Sequence, residues 1–242
     1  MKDYILKNGK VYNSQSRCFE EKNIVVSEGK ITAMEAGIEK EGITEINLEG
    51  MILSPGLIDM HTHIYPLCGS SEDTLPMIDG EAHMFQNGVT TAVDAGSFWF
   101  RNAIPAYEQG FYPDTLSTDL YLHNVNGPAY GLLNVMSKYL NIGMPLEEVL
   151  YRTTARPAEI IGHQELGKLE VGMDADISVL KVKEGNFGFA DSGNARMQGK
   201  QMLECMLTIR AGEFVYNPMA YGMPDWKNAP ESYRIAPGVI EL

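Results

Sequence analysis

Two histidines with one residue between them, His61 and His63, have the types and spacing best suited to chemistry. They close the run Pro55-Gly56-Leu57-Ile58-Asp59-Met60-His61-Thr62-His63. On a strand, residues i and i+2 face the same way, so at a strand end both imidazoles can reach one divalent cation. The alternative is two unrelated polar residues where a strand stops. A carboxylate, Asp119, ends the run Asp114-Thr115-Leu116-Ser117-Thr118-Asp119, which reads as another strand. It could ligate the same ion or carry a proton to a leaving group. It could equally be the N-cap of a following helix. Two imidazoles, one carboxylate and a water form a catalytic zinc set, which makes a divalent metal, zinc, the expected cofactor. Tyr65, Cys68 and Arg101 are candidate substrate contacts. Against that, a lone cysteine often only packs, and an arginine often only pairs at the surface. His83 in a helical stretch, His123 after the second strand, His163 beside Gly162 and Lys138 in a helix are misplaced as ligands.

Several elements must position these groups. Residues 3–6, 11–12, 23–26, 31–34, 43–48 and 51–53 read as short strands separated by turns such as Asn8-Gly9 and Glu28-Gly29. After Pro55 the pattern changes. Strand 57–60, a helix with Leu75, Ile78, Ala82 and Phe85 on one face, and strand 89–93 form a βαβ unit of a parallel sheet. Helices are predicted over 104–109, 129–140, 146–154 and 158–161. Strands return at 175–182, 206–209 and 214–216, and the proline-containing final residues read as irregular.

Composition excludes several classes. Nineteen basic residues against 32 acidic ones give a net charge of −13, which disfavours nucleic acid and anionic membranes as partners. A small-molecule substrate and self-association remain as expected partners. Three cysteines, Cys18, Cys68 and Cys205, far apart and outside any CxxC pair, fit a reducing cytoplasm. The N-terminus carries no apolar signal-like segment, and no apolar run approaches the length of a membrane helix. There is no GxSxG, Walker loop, GxGxxG or zinc-deaminase pattern.

Taken together, residues 48–63, Gly88-Val89-Thr90-Thr91, residues 111–119 and residues 166–177 resemble the amidohydrolase superfamily, in its amidohydrolase/deacetylase or dihydroorotase-like branch. The resemblance spans nearly all of residues 1–217. It implies a metal-dependent hydrolase of amide or ester bonds, including N- or O-acetyl groups, on a (β/α)8 barrel. By that likeness His61, His63 and Asp119 are metal ligands, and Asp119 is also the catalytic proton shuttle. Position 65 holds Tyr where relatives that bind a substrate carboxylate often hold Arg, which argues against a dihydroorotate-type substrate.

The family also uses a carboxylated lysine and two further histidines on middle strands, and nothing here stands in their place. Residues 55–163 are far short of the roughly 250 that a complete barrel takes. The expected architecture is therefore α/β: an incomplete (β/α)8 barrel over 55–163, a small β-sandwich built from 1–54 and 164–217, and an irregular tail over 218–242. The inferred deletion lies near Ala95-Gly96-Ser97-Phe98. A non-catalytic remnant is the alternative function.

Overall fold

A computed structural model describes residues 3–62, 80–92, 100–120 and 126–229. Among these the strands are β1 (Asp3–Lys7), β2 (Lys10–Asn13), β3 (Cys18–Glu21), β4 (Asn23–Ser27), β5 (Lys30–Glu35), β6 (Thr44–Asn47), β7 (Ile52–Pro55), β8 (Leu57–Asp59), β9 (Val89–Ala92), β10 (Ile177–Ala190), β11 (Arg196–Arg210) and β12 (Glu213–Tyr216). The helices are α1 (Gly80–Gln86), α2 (Phe100–Glu108), α3 (Leu132–Asn141), α4 (Leu146–Tyr151) and α5 (Ala155–Ile160).

Strands from both ends of the chain share one six-stranded sheet, in the order β12-β11-β10-β7-β2-β3. A four-stranded sheet, β5-β4-β1-β6, lies against it. Side chains alternate across a strand, so the larger sheet has two apolar faces. Leu53, Val179 and Leu207 enter a core with Tyr4, Ile24 and Ile46 of the smaller sheet. Their neighbours Ile52 and Leu180, with Cys205 two positions before Leu207, enter a second core with Leu133 and Met136 of α3 and Leu150 of α4. A bulge between Val179 and Leu180 resets the register so that β11 serves both faces.

β12 pairs only with residues 208–210 of β11, leaving the edge of that strand to be covered by other means. Helix α3 covers it. Asn141 Oδ1 accepts from the amides of Lys200 (2.6 Å) and Gln201 (3.1 Å), and Asn141 Nδ2 donates to the Gln201 carbonyl (2.7 Å). Ser137 Oγ accepts from the Leu203 amide (2.9 Å). Asn141→Ala strips partners from three backbone groups at once and should destabilise the protein by about 1–3 kcal/mol, read as a lower urea midpoint.

β8 continues from β7 through Gly56, whose amide donates to the Asp176 carbonyl (2.9 Å). A Cβ at position 56 would lie 2.1 Å from Thr90 Oγ1, so only glycine lets β9 come this close. β8 and β9 pair in parallel, Ile58 opposite Thr91 and Asp59 opposite Ala92. α1 precedes β9, in the βαβ order expected. Leu75 and Ile78 of the proposed helix face lie outside the described residues.

Three expectations need correction. Residues 114–119 form no strand; the pairing there is a single parallel bridge between Thr62 and Leu120. β3 was not foreseen, since Cys-Phe-Glu-Glu is half-exposed and shows little alternation. The β10–β11 hairpin is far longer than residues 175–182 and 206–209, because its outer arm is polar, glycine-containing and partly exposed on both faces. Residues 217–229 contain neither helix nor strand. No helix among the described residues is long and apolar enough to cross a membrane.

Candidate metal and proton-transfer site

The site is assembled where β8 ends. Two consecutive carbonyls after α4 hold its two halves side by side. The Ile58 amide donates to the Thr153 carbonyl (2.8 Å), and the Leu116 amide donates to the Arg152 carbonyl (3.0 Å). On the other side the Leu57 amide donates to the Gly88 carbonyl (2.9 Å). The segment after β8 and the segment ending at Leu120 are thus forced to run together, and the Thr62–Leu120 bridge follows.

Asp59 knits them. Its side chain is fully buried. Oδ1 accepts from the His61 amide (3.2 Å) and the Thr118 amide (3.1 Å), and Oδ2 accepts from Thr118 Oγ1 (2.7 Å). Burial pushes the Asp59 carboxyl up to about 7, outweighing these three bonds, and the nearby charge of Asp119 adds to the rise. Thr118 Oγ1 also lies 3.1 Å from the His61 carbonyl and accepts from the Leu120 amide (3.0 Å).

The outcome is contact between two groups 58 positions apart in the chain. His61 Nε2 lies 3.1 Å from Asp119 Oδ1. His61 is buried and the Asp119 side chain is slightly exposed, so the pair sits at the edge of the interior. Such a pair can exchange a proton through one hydrogen bond. It also suits an ion: two ligand atoms each ~2.0–2.1 Å from a tetrahedral zinc lie roughly 3.3 Å apart. Imidazole nitrogen and carboxylate oxygen are both zinc donors, so these two residues fit the group. Among the described residues, no cluster of three or more His, Cys, Asp or Glu is placed to hold a metal.

Of the other candidates, His63, Tyr65, Cys68 and His123 lie outside the described residues. Arg101 is exposed in the first turn of α2. His83 is on α1, with its imidazole pKa lowered by burial. His163 is exposed, Nδ1 2.7 Å from Glu165. Lys138 is buried in α3 and donates to the Pro128 carbonyl (2.8 Å). Asp59 and Thr118 are the site residues that motif reading passed over. One signal was available for Asp59. A carboxylate inside Leu-Ile-Asp-Met, in phase with His61 and His63, will be buried and must find donors.

Comparison with known proteins adds a likeness to one family. Residues 100–215 match the model of the Amidohydrolase family. A deacetylase of Agrobacterium fabrum is 32% identical over 119 residues, covering 49% of this chain and 29% of that protein. A dihydroorotase of Listeria monocytogenes is 31% identical over 88 residues, 36% of this chain and 20% of that protein. The chain thus spans less than a third of the length of either relative. Among solved structures, an adenine deaminase superposes with a TM-score of 0.77 at 17% identity, over 90% of this chain and 100% of that one, a likeness of fold. With the α/β architecture and the His61–Asp119 pair in hand, the chain is similar to the Amidohydrolase family over residues 100–215, and to deacetylases and dihydroorotases over a part of each.

Proposed function

We propose that this protein is a metal-dependent hydrolase of amide or ester bonds in small molecules, with N- or O-acetyl compounds as the substrate class. The observation that carries the reading is the 3.1 Å approach of His61 Nε2 to Asp119 Oδ1 at the end of β8. The deacetylases it resembles supply the substrate class. His61, Asp119 and, from its spacing, His63 would hold a divalent ion, zinc. When bound, such an ion acts as a Lewis acid and raises the acidity of water. Asp119, at the edge of the interior, would take a proton and return it to the leaving nitrogen or oxygen. Asp59 and Thr118 keep that carboxylate facing His61. The barrel over 55–163 is read as incomplete and its partner, residues 1–54 with 164–217, as a sandwich. The parallel order β9, β8, Leu120 supports the barrel part of this reading, and the core shared by the four- and six-stranded sheets supports the sandwich.

A second reading, a non-catalytic remnant, follows from the lack of a lysine and two further histidines at the family's middle-strand positions. One experiment separates the two. The purified 242-residue chain should carry about one equivalent of zinc by atomic emission, and His61→Ala should carry none. The wild type should release acetate from an N-acetylated amino acid, and His61→Ala should not. Background zinc and no acetate from the wild type would leave the non-catalytic reading standing.

A further inference from the structure

The geometry points to Thr118 as a positioning residue whose hydroxyl holds Asp119 against His61 and so sets the metal affinity of the pair. This rests on the metal reading above. Asp119 has φ +52°, in the left-handed region that non-glycine residues seldom enter, though Asp does so more readily than most. The residues on either side of it hold it there. Thr118 Oγ1 donates to Asp59 Oδ2 (2.7 Å), tying position 118 to β8. The same oxygen accepts from the Leu120 amide (3.0 Å), reaching across Asp119. The Leu120 amide is further aligned with the His61 carbonyl (3.4 Å). One hydroxyl therefore brackets the kink from both ends. Without it, position 119 is released toward negative φ, which redirects the carboxylate away from Nε2 of His61.

Backbone bonds hold each side separately. The Thr118 amide on Asp59 Oδ1 (3.1 Å) fixes position 118, and the longer contact of the Leu120 amide with the His61 carbonyl (3.4 Å) holds the chain beyond Asp119. The Thr118 hydroxyl, by contrast, joins the two sides through one atom. Thr118 is almost fully buried, so water does not readily substitute for the missing hydroxyl. Residues that orient metal ligands change affinity by roughly 10–100-fold when removed, and Thr118 should fall in that range.

The test is zinc affinity by competition with a chromogenic chelator, on the full chain. Thr118→Val keeps the shape and loses the hydroxyl; Thr118→Ala is measured alongside it, and Thr118→Ser restores the hydroxyl. The expected result is roughly 10–100-fold weaker zinc binding in the Val and Ala variants, with the Ser variant close to wild type and circular dichroism unchanged throughout. Equal affinity in Thr118→Val and wild type would overturn the inference. So would unfolding of both Val and Ala variants, since the hydroxyl would then serve the fold rather than the pairing. A wild type that binds no zinc would instead bring down the metal reading itself, and this inference with it.

Discussion

Gly212→Ala is expected to destabilise the protein by about 3 kcal/mol or more, well beyond the usual effect of one methyl group. Gly212 sits in the turn between β11 and β12, and Gly29 in the turn between β4 and β5. These turns belong to different sheets and touch backbone to backbone. A Cβ on Gly212 would lie 2.5 Å from Gly29 Cα, and one on Gly29 would lie 2.7 Å from the Ala211 carbonyl oxygen. The contact is latched: the Tyr4 hydroxyl donates to the Gly212 carbonyl (3.0 Å), the Gly212 amide to Ala175 (3.1 Å), and the Ala175 amide to Gly29 (2.8 Å). Gly212 also has φ +79°, where an alanine is strained by ~1–2 kcal/mol. Overpacking against backbone, which cannot rotate aside, adds ~1–3 kcal/mol. Gly50→Ala is the control. Its φ is +75° but nothing lies within 4 Å, so only the strain remains. Equal urea midpoints for the two variants would mean that the turns do not clamp the sheets.

The strands of this clamp were readable because Asn8-Gly9, Glu28-Gly29 and Ala211-Gly212 separate short apolar runs. Their assembly was readable only in part. Nothing local in Ile52-Leu53 says that it will pair with Leu180 and Val179, more than 120 positions away. The long arm of β10 and β11 was invisible for a different reason. Its outer residues Lys183 to Gly188 have no buried face to impose alternation; the arm is kept in place by Ser137 and Asn141, on a helix distant in sequence. Residues 114–119 failed in the opposite direction. Their apolar and β-branched side chains suggest a strand. The amides of Leu116 and Thr118 instead find partners in the Arg152 carbonyl and the Asp59 carboxylate, and no ladder forms.

The site shows the same division. His61 and Asp119 were legible as donor types at strand-like ends, and their meeting depends on groups that carry no motif. Thr118 looks like an ordinary β-branched residue until Asp59 is seen buried beneath it. Spacing identifies which atoms can do chemistry. The polar groups that aim them follow from which donors a buried carboxylate happens to meet, and that is a property of the folded chain.

Asp191→Ala carries the other large effect, again about 3 kcal/mol, through a buried ionic group far from His61 in sequence. Asp191 lies at the tip of the β10–β11 hairpin and is almost fully buried. Oδ2 accepts from the amide of Phe100 (2.9 Å), the first residue of α2, and Oδ1 accepts from Gly193 (2.9 Å) and Ala195 (2.8 Å). It therefore caps a helix that begins 91 positions earlier. Burial alone would raise its pKa, but the Ala195, Phe100 and Gly193 amides and the charge of Lys138 together hold it below the usual carboxylate range. Three charge-assisted bonds lost at ~1 kcal/mol or more each account for the expected size. Asp191→Asn should lose less, because its amide oxygen can still accept from two of the three donors. The pH dependence distinguishes this from simple loss of packing. A lowered carboxylate pKa contributes stability above its unfolded value near ~4 and loses it as pH falls through the folded value, so the gap between wild type and Asp191→Ala should close in acid. Lys138 works at the other end. Burial lowers its ammonium to about 8, and Asp191 opposes that shift. The folded state then holds fewer protons than the unfolded chain above about 8, so stability from this group rises with pH until the usual lysine value near ~10.4. With Asp191 gone, the Lys138 pKa falls further and that rise begins at lower pH. Urea midpoints from pH 3 to 9 for wild type, Asp191→Ala and Lys138→Met measure both ends. A gap between wild type and Asp191→Ala that does not change with pH would show that the carboxylate holds the hairpin tip by shape alone.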